Sequence, residues 1–184
     1  MKHHAPNLLF RDMLLNILLI FVATTLILLP WISENQKSEE VAPGTMSVEI
    51  VWDPASANDI DLWGKAPGDV SVGFRNTGGR VFNLLRDDLG QDNDPLRINY
   101  ENMYSRGLPD GTYVINLHYY NGRGPERVVT KVTVNAASGK RTFFKEVVLE
   151  RRGQEVTVMR LHIVNGQIVG MDEIPVHITP FVGP

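Results

Sequence analysis

Thr112–Tyr119, TYVINLHY, places Tyr113, Ile115, Leu117 and Tyr119 on one side of an extended chain, and Arg127–Val134, RVVTKVTV, does the same with Val128, Thr130, Val132 and Val134. A period of two marks half-buried strands, and further β-branched or aromatic runs flank this pair at Ser47–Trp52, Val70–Arg75, Arg97–Tyr100, Thr142–Leu149, Glu155–Val164 and Gln167–Met171. Asn165-Gly166 joins the last two runs with the dipeptide that a type I′ hairpin turn requires; Asp110-Gly111 and Asn121-Gly122 give similar signals. A short helix over Val81–Asp87 is the only helical reading in this part of the chain. About eight strands at this spacing predict an all-β sandwich, immunoglobulin-like or jelly-roll, over residues 46–184.

Upstream the pattern changes. Met13–Ile32, MLLNILLIFVATTLILLPWI, is 20 residues without a charge. At ~1.5 Å per residue such a run covers a hydrocarbon core of ~30 Å, so a transmembrane helix is expected over residues 12–32. Pro30 and Trp31 sit at its far end, where an indole suits the headgroup interface. Leu29-Pro30-Trp31-Ile32-Ser33-Glu34 lacks a small-x-small cleavage pattern, which favours a retained anchor over a cleaved signal peptide. Lys2 and Arg11 before the run outweigh Lys37 after it. That bias places residues 1–11 in the cytoplasm of a bacterial cell and the sandwich in the periplasm, as a single-pass inner-membrane protein. Residues 33–45, polar and closed by Pro43-Gly44, read as a linker.

The chain has 184 residues, a formal net charge of −3 and no Cys. Disulfide scaffolds, thiolate zinc sites and Cys nucleophiles are thereby excluded, and no basic field exists to recruit nucleic acid. Gly-x-Ser-x-Gly, His-Glu-x-x-His and phosphate-binding Gly-Lys-Ser/Thr patterns are missing, and His118, His162 and His177 have no evident partners in the sequence. The expectation is a protein without catalytic activity.

Asp12 opens the apolar run. Desolvation at that depth favours the neutral, proton-loaded form of a carboxylate, which makes Asp12 an ion-carrier candidate; the competing reading is a charge marking the water boundary. The run Asp12-Met13-Leu14-Leu15-Asn16-Ile17-Leu18-Leu19-Ile20-Phe21 resembles the single membrane helix of the ExbD/TolR/MotB proteins, the B subunits of ion-driven motors, in which an Asp precedes an aliphatic run with a Phe about nine positions on. The resemblance covers about Asn7 to Ile32. It implies a homodimer of this chain inside a pentamer of multi-span ExbB/TolQ/MotA-like subunits, with Asp12 carrying protons. Asn16, one turn above Asp12, and Thr24 would then line the pore or the dimer seam. Thr24 and Thr25 lie too far from Asp12 to complete a sodium site, so the proton is the expected ion.

Beyond the membrane the pattern departs from that family, whose outer domains are α/β or OmpA-like. Asp59-Ile60-Asp61-Leu62, Pro109-Asp110-Gly111-Thr112-Tyr113 and Tyr119-Tyr120 resemble secreted YfaP-like sandwich domains, a likeness that implies a fold more than an activity. Two acidic clusters, Asp53, Asp59 and Asp61, then Asp87, Asp88, Asp92 and Asp94 with Asn93, supply oxygens suited to Ca2+, although neither has EF-hand spacing and Asp in loops ordinarily serves turns. Among the aromatics Trp52, Trp63, Tyr100, Tyr104, Tyr119 and Tyr120, a ligand surface is expected at Trp63, Tyr119 and Tyr120, suited to peptidoglycan or another envelope ligand. Two functions follow. The favoured one is a proton-conducting motor subunit whose β domain couples rotation to the envelope; the alternative is a membrane-anchored binding or adhesion module without ion transport.

Overall fold

The computed structural model describes residues 5–38, 45–90 and 98–178, with helix side chains described from 10 to 26. Asp92, Asn93 and Asp94 lie outside the described residues. The chain divides into two units, Met1–Ala42 and Pro43–Pro184.

The first unit is a helix, α1 (Ala5–Ser38), of 34 residues. It runs past both ends of the expected 12–32 segment and takes Ser33–Ser38 from the expected linker into helix. Thr24 Oγ1 donates to the Ile20 and Phe21 carbonyls at 2.9 Å each, and Thr25 Oγ1 donates to Phe21 O at 2.8 Å, so both hydroxyls are satisfied within their own helix. Phe10, Met13, Leu14, Leu15, the run from Ile17 to Val22 and Leu26 are all exposed, as are Arg11, Asp12 and Asn16. Among the described residues no helix is long and apolar enough to cross a membrane. Described side chains stop at Leu26, and Ile27–Ile32 of the uncharged run lie beyond them.

The second unit consists of two five-stranded antiparallel sheets. Sheet A has the order β4 (Phe82–Arg86), β5 (Tyr100–Ser105), β1 (Met46–Val51), β7 (Glu126–Ala136) and β8 (Gly139–Leu149). Sheet B has the order β10 (Gln167–Asp172), β9 (Glu155–Val164), β6 (Gly111–Asn121), β2 (Asp59–Lys65) and β3 (Ser71–Val72). The β7–β8 hairpin, sandwiched in sequence between two strands of sheet B, crosses to sheet A and pairs beside β1.

Period-two faces meet between the sheets. Tyr113, Ile115, Leu117 and Tyr119 are fully buried, as their alternation requires, and pack in one core with Val48, Ile50, Val128, Val132 and Val134 of sheet A. The polar ends of both tyrosines are satisfied, Tyr113 Oη donating to Pro109 O and Tyr119 Oη to Gly124 O, each at 2.8 Å. A tyrosine that bonds back to the turn before its own strand fixes that sheet corner. Asn165 and Gly166 have φ of 54° and 68°, the left-handed pair expected of a type I′ turn.

Three sequence expectations need correcting. Val81–Asp87 is not helical: Phe82–Arg86 is strand β4, with Phe82 and Leu84 turned into the core. The strand expected at Arg97–Tyr100 begins only at Tyr100, because its inward row is Glu101, Met103 and Ser105 and so carries two polar residues. Of Val70–Arg75 only Ser71–Val72 is strand; Gly73 and Asn76 exchange backbone hydrogen bonds at 3.0 Å and turn the chain. Strand β2, unrecognised in the sequence, is buried along six of its seven positions, and its two aspartates mask the apolar signal.

Candidate functional site

Strands β2 and β6 run antiparallel with Asp61 opposite His118 and Trp63 opposite Asn116. Because Ile60 and Leu62 point into the core, Asp61 and Trp63 project from the outer face of sheet B, alongside Asn116, His118 and Tyr120. An aromatic cluster results. Trp63 meets Phe74 edge-on with centroids 5.8 Å apart and His118 at 6.0 Å, while Tyr120 lies 5.2 Å from Phe74 and 6.3 Å from His118. The Arg75 guanidinium sits 5.2 Å from the Phe74 ring centre.

The opposite wall comes from the segment after β10. Thr157 Oγ1 donates to Val176 O at 3.1 Å and accepts from Val176 N at 2.8 Å. Glu155 is the main clamp: Oε1 accepts from Ile178 N at 2.7 Å and from Asn116 Nδ2, and Oε2 pairs with His177 Nδ1. Between the walls lies a cleft of about 240 Å³, lined by Trp63, Phe74, Arg75, His118, Tyr120, Glu155, His177 and Ile178.

Both imidazoles of the cleft are held by carboxylates, His118 Nδ1 lying 2.9 Å from Asp61 Oδ2 and His177 against Glu155. Holding one ring nitrogen fixes the orientation of the other. His162, outside the cleft, links three strands: Nδ1 lies 3.0 Å from Thr112 Oγ1 and Nε2 lies 2.6 Å from Asp172 Oδ2. The hydrogen bond from His162 holds the Asp172 carboxyl below its ordinary range. All three histidines therefore have carboxylate partners, which overturns the expectation that they have none. Those partners are strand neighbours or distant in sequence, so inspection of adjacent positions misses them.

Of the expected ligand residues, Trp63 and Tyr120 are brought together at the cleft and Tyr119 is not. Successive strand residues face opposite ways, so Tyr119 is fully buried in the core while Tyr120 is 41% exposed. Trp52 is also a core residue, its Nε1 donating to Asn58 O at 2.9 Å, and Tyr100 and Tyr104 belong to sheet A. In α1, Asp12 and Asn16 lie one turn apart and both are exposed; Thr24 is about 18 Å further along the helix axis from Asp12.

The acidic clusters converge in part. Oxygens of Asp61, Asp87 and Glu101 lie within 4.8 Å of one another, and Asp59 and Asp88 are their charged neighbours. Burial, reinforced by Asp61, Asp87 and Asp88, pushes the Asp59 carboxyl up to about 7. Burial likewise raises Asp61, Asp87 and, well above its ordinary value, the fully buried Glu101. Asp53 stands apart and caps a turn, its Oδ1 accepting from Ala55 N at 2.8 Å.

No protein-family model, curated protein or solved structure matches this chain.

Proposed function

We propose that the chain is a membrane-anchored recognition module that seats one sugar ring of an envelope glycan, such as peptidoglycan, in the cleft on the outer face of sheet B. The observation that carries this reading is a cleft of about 240 Å³ walled by Trp63, Phe74 and Tyr120 and furnished with two carboxylate-oriented imidazoles. Aromatic rings bury the C–H faces of a sugar, and the free imidazole nitrogens of His118 and His177 exchange hydrogen bonds with its hydroxyls. Few, oriented polar groups within an apolar lining are the general pattern of small-ligand sites. The exposed, uncharged run Ile17–Val22 of α1 supports a lipid environment for that part of the helix, since an apolar stretch without a polar face is stable only where other apolar matter surrounds it.

Tyr120 and His177 stand at the rim, so they are tested without disturbing the core. Tyr120→Ala and His177→Ala are each expected to weaken retention on purified peptidoglycan by about tenfold, the loss of one stacking or hydrogen-bonding partner. Co-sedimentation of the full chain in detergent measures it. Wild-type protein that stays in the supernatant, or variants that sediment like wild type, would overturn the reading.

A second reading rests on Asp12 and Asn16, which share one exposed side at the start of the apolar run. In it, two copies of this helix stand inside a pentamer of multi-span subunits, Asp12 carries protons, and the sandwich couples rotation to the envelope. The carboxylate is the reacting group, so Asp12→Asn is expected to abolish proton-driven activity while leaving co-purification with the multi-span partner intact. Activity retained in that variant excludes the motor reading and leaves the anchor.

A further inference from the structure

The acidic cluster lies at the edge of β2 that short β3 leaves open, since β3 pairs only with Gly64 and Lys65. Glu101 reaches this edge from sheet A: Oε2 accepts from Leu62 N at 2.7 Å and Oε1 from Asp88 N at 3.1 Å. A carboxylate has about four acceptor positions, so both oxygens of Glu101 remain competent after these bonds, now fixed in direction. Asp88 has a different task. Its oxygens accept from Gly90 N at 3.1 Å, Tyr100 N at 3.2 Å and Arg86 Nη2 at 2.9 Å, which folds the loop that presents Asp87.

An independent observation points to a ligand. Asp59 is 7% exposed, its Oδ1 is buried without a hydrogen-bond partner, and its charged surroundings are Asp61, Asp87 and Asp88. A buried carboxylate oxygen with no donor is costly, and like charges around it add to that cost. The one opposing group that acts on Asp59 is His118, and it is engaged with Asp61.

We propose that Asp61, Asp87 and Glu101, with the unpartnered Asp59 as their charged neighbour, form a binding site for one hard divalent cation of the calcium class. Two oxygens on one Ca2+ at ~2.4 Å are at most ~4.8 Å apart, and the Asp61, Asp87 and Glu101 oxygens meet that limit. An all-oxygen donor set combining fixed Glu101 with exposed, adaptable Asp87 suits the larger and less geometrically demanding calcium over magnesium. The ion offsets the like charges that surround Asp59 and neutralises the cluster. It also places a positive charge behind Asp61, whose other contact is His118 in the cleft wall; the site itself does not depend on what the cleft binds.

The test is calorimetric titration of CaCl2 into the EDTA-stripped full chain in detergent, with thermal unfolding of the same samples. One ion per chain, with a Kd between about 1 μM and 1 mM, and a rise of about 5 °C in the unfolding midpoint at saturation are expected. Asp87→Asn and Asp59→Asn keep shape and remove one charge each. Either is expected to weaken calcium binding at least tenfold and to erase the calcium-dependent rise, while the metal-free variant melts no lower than metal-free wild type, because a like charge is gone from the cluster. A folded wild type showing neither heat nor stabilisation at ~10 mM Ca2+ overturns the proposal. So does a calcium-dependent rise that survives both substitutions.

Discussion

Glu155→Ala is expected to abolish glycan retention in the cleft, with at least about a hundredfold loss of affinity, and to destabilise the sandwich by about 2 kcal/mol. One carboxylate orients His177, accepts from Ile178 N and caps Asn116 Nδ2, so its removal frees the wall of the cleft and one of its two imidazoles together. Asn116 is fully buried and its Oδ1 already lacks a partner; truncating Glu155 takes away one of the two acceptors of its Nδ2, leaving Val176 O. Orphaning buried polar groups typically costs ~1–3 kcal/mol each, and the segment that carries Val176 is loosened by the same change. A hundredfold is about 2.7 kcal/mol, so the losses in binding and in stability are of the same order. Co-sedimentation alongside urea unfolding separates the two, and a variant that loses stability yet keeps wild-type retention would show that the 173–178 segment is not part of the site.

Gly122→Ala is expected to lower the unfolding free energy by about 3 kcal/mol, or roughly 10 °C in the midpoint. Gly122 has φ 137°, and a Cβ there would stand 2.1 Å from Asn58 Oδ1 and 2.9 Å from Asn58 Cα. Asn58 cannot turn aside without loss. Its Oδ1 accepts from Arg123 N at 2.8 Å, its Nδ2 donates to Glu126 Oε2 at 2.7 Å, and its carbonyl accepts from Trp52 Nε1 at 2.9 Å. The substitution therefore sets backbone strain against a buried network that joins β6, β7 and the approach to β2. Thermal unfolding monitored by circular dichroism measures the shift, and an unchanged midpoint would mean that the 121–124 turn moves as a unit.

The sandwich was legible where the inward row is apolar. Tyr113, Ile115, Leu117 and Tyr119 show the period of two because that face of β6 meets sheet A, although Val114 and Asn116 on the other face are covered as well, and Asn165-Gly166 announced its hairpin through backbone chemistry alone. Strand β2 was illegible: both its faces are covered, one by the core and one by the aromatic cluster and carboxylates, so Asp59 and Asp61 sit where the pattern calls for apolar residues. Missing β2 also hid half the site. Asp61 opposite His118 and Trp63 beside it follow directly from the β2–β6 register, whereas Glu155, His177 and Ile178 come together only through the return of the C-terminal segment over β9. Glu101 carried no signal, because a carboxylate in the inward row of a strand has no counterpart in composition or spacing.

Strand β1 is made first and stands in the middle of sheet A, with Met46 opposite Ser105 on one side and Val134 on the other. Neither neighbour exists until the ribosome has added 59 and then 88 further residues. At ~5–20 residues per second, the second partner follows the first strand by roughly 4–18 s. Until β5 is made the row Met46, Val48 and Ile50 has no sheet A strand to join, and pairing across such sequence separations is intrinsically slow once it begins. The nascent domain therefore stays unfolded through most of its synthesis. That delay makes its first apolar strand the segment a holding chaperone would grip.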